Sequence, residues 1–286
     1  MDQTAPASPR QPHTGPQDRW LLLALGVVGA FVAWPTLRWL AHEWWTNDYY
    51  SHGPLVPLVS AFFAWRLWPT IRPRPANAGA PLLLIGLAVY LAALVGRAFF
   101  IASLALIVIL AGLVWFQWGA QALRRLMFPL AFLLFMTPLP FIEASTIPLA
   151  RFTGVYASAL MRMLGVEAVV SGSQIALPNV ALAIGAPCSG VRSLISLLTL
   201  VAVALYLVQG PLRRKAVLAL ATIPLALLGN VARVASLLGV ATAWGVEASF
   251  AYYHELSGIA FFLVALLGLL FLSRMLRCHT LRADLW

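Results

Sequence analysis

Long apolar runs dominate this chain and leave it little to fold into except a bilayer. A spanning helix needs about 20 mostly apolar residues. Eight stretches reach or approach that length: 20–40, 54–68, 81–96, 98–120, 127–142, 191–209, 216–243 and 257–273. The second, third and fifth are short, and only Gly96-Arg97, a tight turn, divides the third from the fourth. Composition agrees. Of 286 residues 62% are apolar and 10% charged, with a mean hydropathy of +0.88. Soluble domains carry about 25% charged residues and roughly 45–50% apolar ones. A soluble enzyme, a disordered chain and a disulfide-stapled secreted module are thereby excluded. The expected fold is all-α: a polytopic integral membrane protein of about eight transmembrane helices. No internal repeat or inverted half is visible, which disfavours a secondary transporter.

Lys and Arg positions orient the spans. Arg10 and Arg19 precede the first; Arg72 and Arg74 follow the second; Arg124 and Arg125 follow the fourth. Arg213, Arg214 and Lys215 follow the sixth, and Arg274, Arg277 and Arg282 the eighth. These are alternate loops, so eight spans put them all on one side, which the positive-inside rule makes the cytoplasm. The net charge of +10 is read as this bias, not as nucleic-acid binding. The expected organisation is a disordered cytoplasmic tail over 1–19, a transmembrane domain over 20–275 and a short cytoplasmic tail over 276–286. The first span reads as an uncleaved anchor in an inner, or plasma, membrane. Trp39, Trp44, Trp45, Tyr49 and Tyr50 form an aromatic belt at the first outer boundary. In the longest outer stretch, 147–164 has helical spacing suited to a membrane surface. Residues 171–184 read as strand-like or looped and lead to Cys188.

Polar residues in or beside spans are costly, so each is a functional candidate. Cys188 lies in Pro187-Cys188-Ser189-Gly190-Val191-Arg192, at a helix start where free N–H groups stabilise a thiolate. Arg192 is one turn further on, on the same face. Cys278 is expected on the other side of the membrane, so Cys188 is a free thiol facing an oxidising compartment. Arg233 falls inside the seventh stretch, roughly 15 Å from its end at about 1.5 Å per residue. Asn230 shares its face. His254 precedes the eighth stretch. A Cys, an Arg and a His at three outer helix ends give a nucleophile, an oxyanion stabiliser and an acid/base. His52, in Asp48-Tyr49-Tyr50-Ser51-His52-Gly53, could join them, orient a substrate or cap the helix that follows. Zinc is disfavoured, because there is no His-Glu-x-x-His and no compact ligand pair.

These pieces resemble the exosortase/archaeosortase family of membrane cysteine transpeptidases, over nearly all of 20–275. The carrying residues are Asp48 to Gly53, Pro187-Cys188-Ser189-Gly190-Val191-Arg192, Asn230-Val231-Ala232-Arg233, and His254 with Ser257-Gly258. The late His resembles the bacterial branch. The resemblance implies an enzyme that cleaves a C-terminal sorting tail from exported proteins: a short motif such as Pro-Glu-Pro, a transmembrane helix and a basic end. Such enzymes pass the protein through a thioester to a surface acceptor, a lipid or a glycan. It implies Cys188 as nucleophile, Arg233 as the essential arginine and His254 as acid/base, on the periplasmic face. Arg192, Asn230, His52 and Ser189 become supporting or substrate-binding residues. No metal or organic cofactor is implied, and no nucleic-acid partner. Any soluble domain of the kind some members carry would be a separate protein. Hydrolysis in place of transfer stays open, as does a transporter or envelope assembly factor without protease chemistry.

Overall fold

The computed structural model describes residues 16–171, 174–177, 180–183, 189–278 and 280–282. The fold is nearly all helical. Helix α1 (Pro16–Thr46) begins within the stretch expected to be disordered and runs through Pro35. A 3₁₀ turn, Asp48–Tyr50, leads to α2 (Leu55–Leu67). Helices α3 (Gly79–Val95) and α4 (Phe99–Arg125) fold against each other about Gly96 to Ala98, where Arg97 adopts φ +54°. Their backbones approach so closely that a Cβ on Gly112 would stand 2.6 Å from the Leu83 nitrogen. Lipid offers helices no hydrophobic drive to associate, so such small-residue contacts carry the packing.

The expected span over 127–142 is not one helix. Helix α5 (Met127–Phe132) passes into a 3₁₀ segment, Leu133–Met136, and Thr137 is extended. Pro138 and Pro140 supply the physical reason: proline disfavours helix at the residue before it. The chain restarts as α6 (Pro140–Ala144) and α7 (Thr146–Met163), bent by 50° from the preceding piece. Helix α7, expected to lie along the membrane surface, buries a face of Ala150, Thr153, Ala157 and Met161.

Next comes an antiparallel meander, β1 (Val169–Ser171), β2 (Gln174–Leu177) and β3 (Val180–Ala183), with Ile175 paired to Leu182. This gives the strand-like expectation its form. Ile175 and Leu177 are buried and belong to one apolar cluster with Val234 and Leu238. Those two belong to α9 (Leu212–Trp244), which follows α8 (Val191–Leu207). A π-helical turn, Ala248–Tyr253, leads into α10 (His254–Met275).

Helices α4, α9 and α10 are each long and apolar enough to cross a membrane, and the bent pair over 127–163 can be counted as a fourth. This is an integral membrane protein. Helix α8 lies between two packed groups. Its Leu197 and Val201 meet Leu218 and Ala226 of α9 and Leu269 of α10. Its Tyr206 meets Phe63 of α2 and Phe128 of α5. The segment after α10 folds back onto the α8–α9 connection. The Gln209 amide donates to the Thr280 carbonyl at 2.7 Å, and the Arg282 amide to the Leu207 carbonyl at 2.8 Å. Cys278 is fully buried there.

Candidate active site

One polar cluster joins α9 to the first turn of α10. Along α9, Ala226, Asn230, Arg233 and Leu237 recur at helical spacing and are buried. Arg233 is 9% exposed, deep for a guanidinium, and so must be satisfied by partners. His254 and Ser257, three residues apart, share a face of α10. Arg233 Nη2 lies 3.2 Å from His254 Nε2 and donates to the His254 carbonyl at 3.2 Å. Arg233 Nε donates to Ser257 Oγ at 3.4 Å, and that hydroxyl donates to the His254 carbonyl at 2.9 Å. A guanidinium has donors and no acceptor. His254 Nε2 therefore presents its lone pair to Arg233, and the neutral ring carries its proton on Nδ1.

The start of α8 sits beside this cluster. Gly190 has φ +75° and meets the Asn230 side chain so closely that a Cβ would stand 2.6 Å from its Cγ. Only glycine adopts that conformation at no steric cost. Asn230 is held from its other side, its Nδ2 donating to Thr153 Oγ1 of α7 at 3.0 Å. Ser189 is fully buried, and its hydroxyl accepts from the Val191 amide at 3.4 Å. Cys188 lies outside the described residues, one position before Ser189. A crevice of about 10 Å³ runs between the helices, lined by Ser193, Leu197, Asn230, Arg233 and Phe261 among others. That is room for about one water molecule.

Arg192 and His52 join a second cluster on another face of α8. Arg192 Nη2 reaches Ser51 Oγ at 3.5 Å, and His52 Nε2 lies 3.4 Å from Thr199 Oγ1. Arg192 and Thr199 are seven residues, about two turns, apart, so they share a face. The Thr199 hydroxyl donates to the Ile195 carbonyl at 2.8 Å, so His52 Nε2 is the donor to it. His52 Nδ1 is buried and has no partner among the described residues. Burial holds His52 below its ordinary pKa, helped by the Arg192 charge; the nearby Phe135 carbonyl, which makes no hydrogen bond to the neutral ring but favours a protonated one, pulls the other way. The cap reading does not hold. Asn47 caps the Asp48–Tyr50 turn, accepting from the Tyr49 amide at 3.1 Å, and α2 starts behind Pro54 with no side-chain cap.

A depressed folded pKa means the neutral ring stabilises the fold above the unfolded value, near 6.5, and that contribution is lost as pH falls through the lower folded value. The melting temperature of the wild type is therefore expected to drop further between pH 7 and pH 5 than that of His52→Asn. Parallel curves would contradict the burial of a neutral His52.

The sequence singled out Arg233, Asn230 and His254, and the structure brings them together. It places Arg192 and His52 together elsewhere. Thr153 and Thr199 were missed, because a threonine in an apolar helix carries no signal until its partner is known. Ser257 was seen only as part of a pattern, without a role.

Both clusters lie within residues 44–271, the stretch matched by the family profile described as Transmembrane exosortase (Exosortase_EpsH). The chain belongs to the transmembrane exosortase family. No curated protein and no solved structure matches it significantly.

Proposed function

We propose that this protein is a cysteine transpeptidase that removes C-terminal sorting tails from exported proteins. The observation that carries the reading is the contact of buried Arg233 with His254, within the family match and beside the glycine turn two residues after Cys188. The chain would cross the inner membrane eight times over 20–275, with both termini cytoplasmic and the site on the periplasmic side. The alternation of Lys and Arg loops supports this.

In this reading the Cys188 sulfur adds to a substrate carbonyl carbon, and the thiol proton passes to His254 Nε2. Arg233 leaves Nε2 and turns to the oxyanion. His254 then protonates the leaving amine as the C–N bond breaks, and the N-terminal part of the substrate remains as a thioester. The amine or hydroxyl of a surface lipid or glycan attacks that thioester, and its proton returns to the Cys188 sulfur. Water in place of the acceptor gives hydrolysis. Splitting the exchange at a covalent intermediate replaces one difficult step by two easier ones. A substrate helix docked against the bundle would hold the scissile bond at the site.

Co-expression with a tagged exported protein ending in a motif, an apolar helix and basic residues tests this. Loss of the C-terminal tag is expected with the wild type and not with Cys188→Ala at equal membrane level. Equal tag loss with both proteins would sink the cysteine mechanism. Failure with several tailed proteins would favour a transport or assembly role.

A further inference from the structure

Ser257 is 1% exposed, in the first turn of α10 and three residues past His254. Its hydroxyl serves two partners at once. It donates to the His254 carbonyl at 2.9 Å and accepts from Arg233 Nε at 3.4 Å. The guanidinium is planar, so holding Nε fixes where Nη2 points. That direction is onto His254, with Nη2 3.2 Å from both its Nε2 and its carbonyl oxygen. Gly258 leaves the space beside it open; even a Cβ there would come no nearer to Nη2 than 3.5 Å.

We infer that Ser257 is a positioning residue that sets the plane of the Arg233 guanidinium, so that Arg233 caps His254 Nε2 and keeps the imidazole in its Nδ1–H form. The inference rests on the proposed pairing of Arg233 with His254 in catalysis. Ser257 touches no substrate and acts through Arg233. It makes the resting site self-occupied: the nitrogen needed as proton acceptor is covered by the cation needed at the oxyanion. Both are released together when Arg233 turns away. Without the hydroxyl, the guanidinium can rotate about its Cδ–Nε bond, and His254 can protonate on either nitrogen.

The test uses the full chain in lipid nanodiscs with ¹⁵N-labelled histidine, the His254 signals being assigned by difference from His254→Asn. Wild type and Ser257→Thr are expected to show Nε2 unprotonated. Ser257→Ala is expected to show a mixture of tautomers. On a tailed substrate, Ser257→Ala should lose about tenfold in kcat, as for one hydrogen bond to a charged group, with KM within about twofold, and threonine should restore it. An unchanged His254 spectrum in Ser257→Ala would overturn the inference. If the alanine variant does not accumulate, Ser257→Cys, of similar size and a poor acceptor, takes its place under the same criteria. A wild type that processes no tailed substrate would remove the transpeptidase reading, yet the spectra would still decide the role of Ser257.

Discussion

Arg233→Lys is expected to slow processing by about 10²–10³-fold, the usual cost of removing one oxyanion donor, while the protein reaches the membrane at normal level. Lysine keeps the charge and loses the fork. Arg233 presents Nε to Ser257 and Nη2 to His254 in one rigid plane. An ammonium on a flexible stem has no such plane and is more strongly hydrated, so burial suits it less. Arg233→Ala should be at least as slow, and it also strips a partner from the His254 carbonyl. Single-turnover rates check both, because they separate the chemical step from binding. A lysine variant within a few-fold of wild type would remove Arg233 from the oxyanion and leave it a packing role.

Gly190→Ala is expected to cut activity by about 100-fold or more. Two costs combine. The left-handed conformation at φ +75° disfavours any side chain, by about 1–2 kcal/mol. The new Cβ would also overlap the Asn230 side chain, which Thr153 holds in place. The start of α8 must then move away from α9, and the residues just before it move with it. A displacement of about 1 Å at a reacting group can cost about 10²-fold. The check is the processing rate beside the melting temperature. A large loss of rate with a modest loss of stability is the expected pattern. Near-normal activity would mean that the Gly190–Asn230 contact does not position the site.

Much of this was legible because the physical signals were expensive ones. An arginine inside an apolar stretch needs a reason, and among the described residues Arg233 is held by the His254 ring, the His254 carbonyl and the Ser257 hydroxyl. The Gly96-Arg97 break was legible because two apolar runs met there with almost nothing between them. The strand-like reading of 171–184 rested on its β-branched residues, and the meander begins slightly earlier, at Val169. Other features gave weaker signals. The bend after Met136 was hidden inside an apolar run whose hydropathy outweighed Pro138 and Pro140. The side of α8 that His52 occupies depends on a 3₁₀ turn and on its contact with Thr199, which no local pattern encodes. The role of Ser257 depends on a partner 24 residues away in the chain.

The two clusters flank the same helix. Arg233, in contact with His254, and Asn230 gather with Ser193 and Leu197 of α8 around the crevice, and Arg192 and His52 hold another face through Ser51 and Thr199. The chain reaches that helix through Cys188, so the proposed chemistry depends above all on what this thiol does. The most direct measurement is capture of the covalent intermediate. A tailed substrate is mixed with the full-length protein without acceptor, quenched in acid and digested, and peptides containing residue 188 are read by mass spectrometry. The expected product is the substrate's N-terminal part joined to Cys188 as a hydroxylamine-sensitive thioester, with no such adduct in Cys188→Ala. Substrate cleavage with no adduct at Cys188, or cleavage that persists in Cys188→Ala, would contradict it.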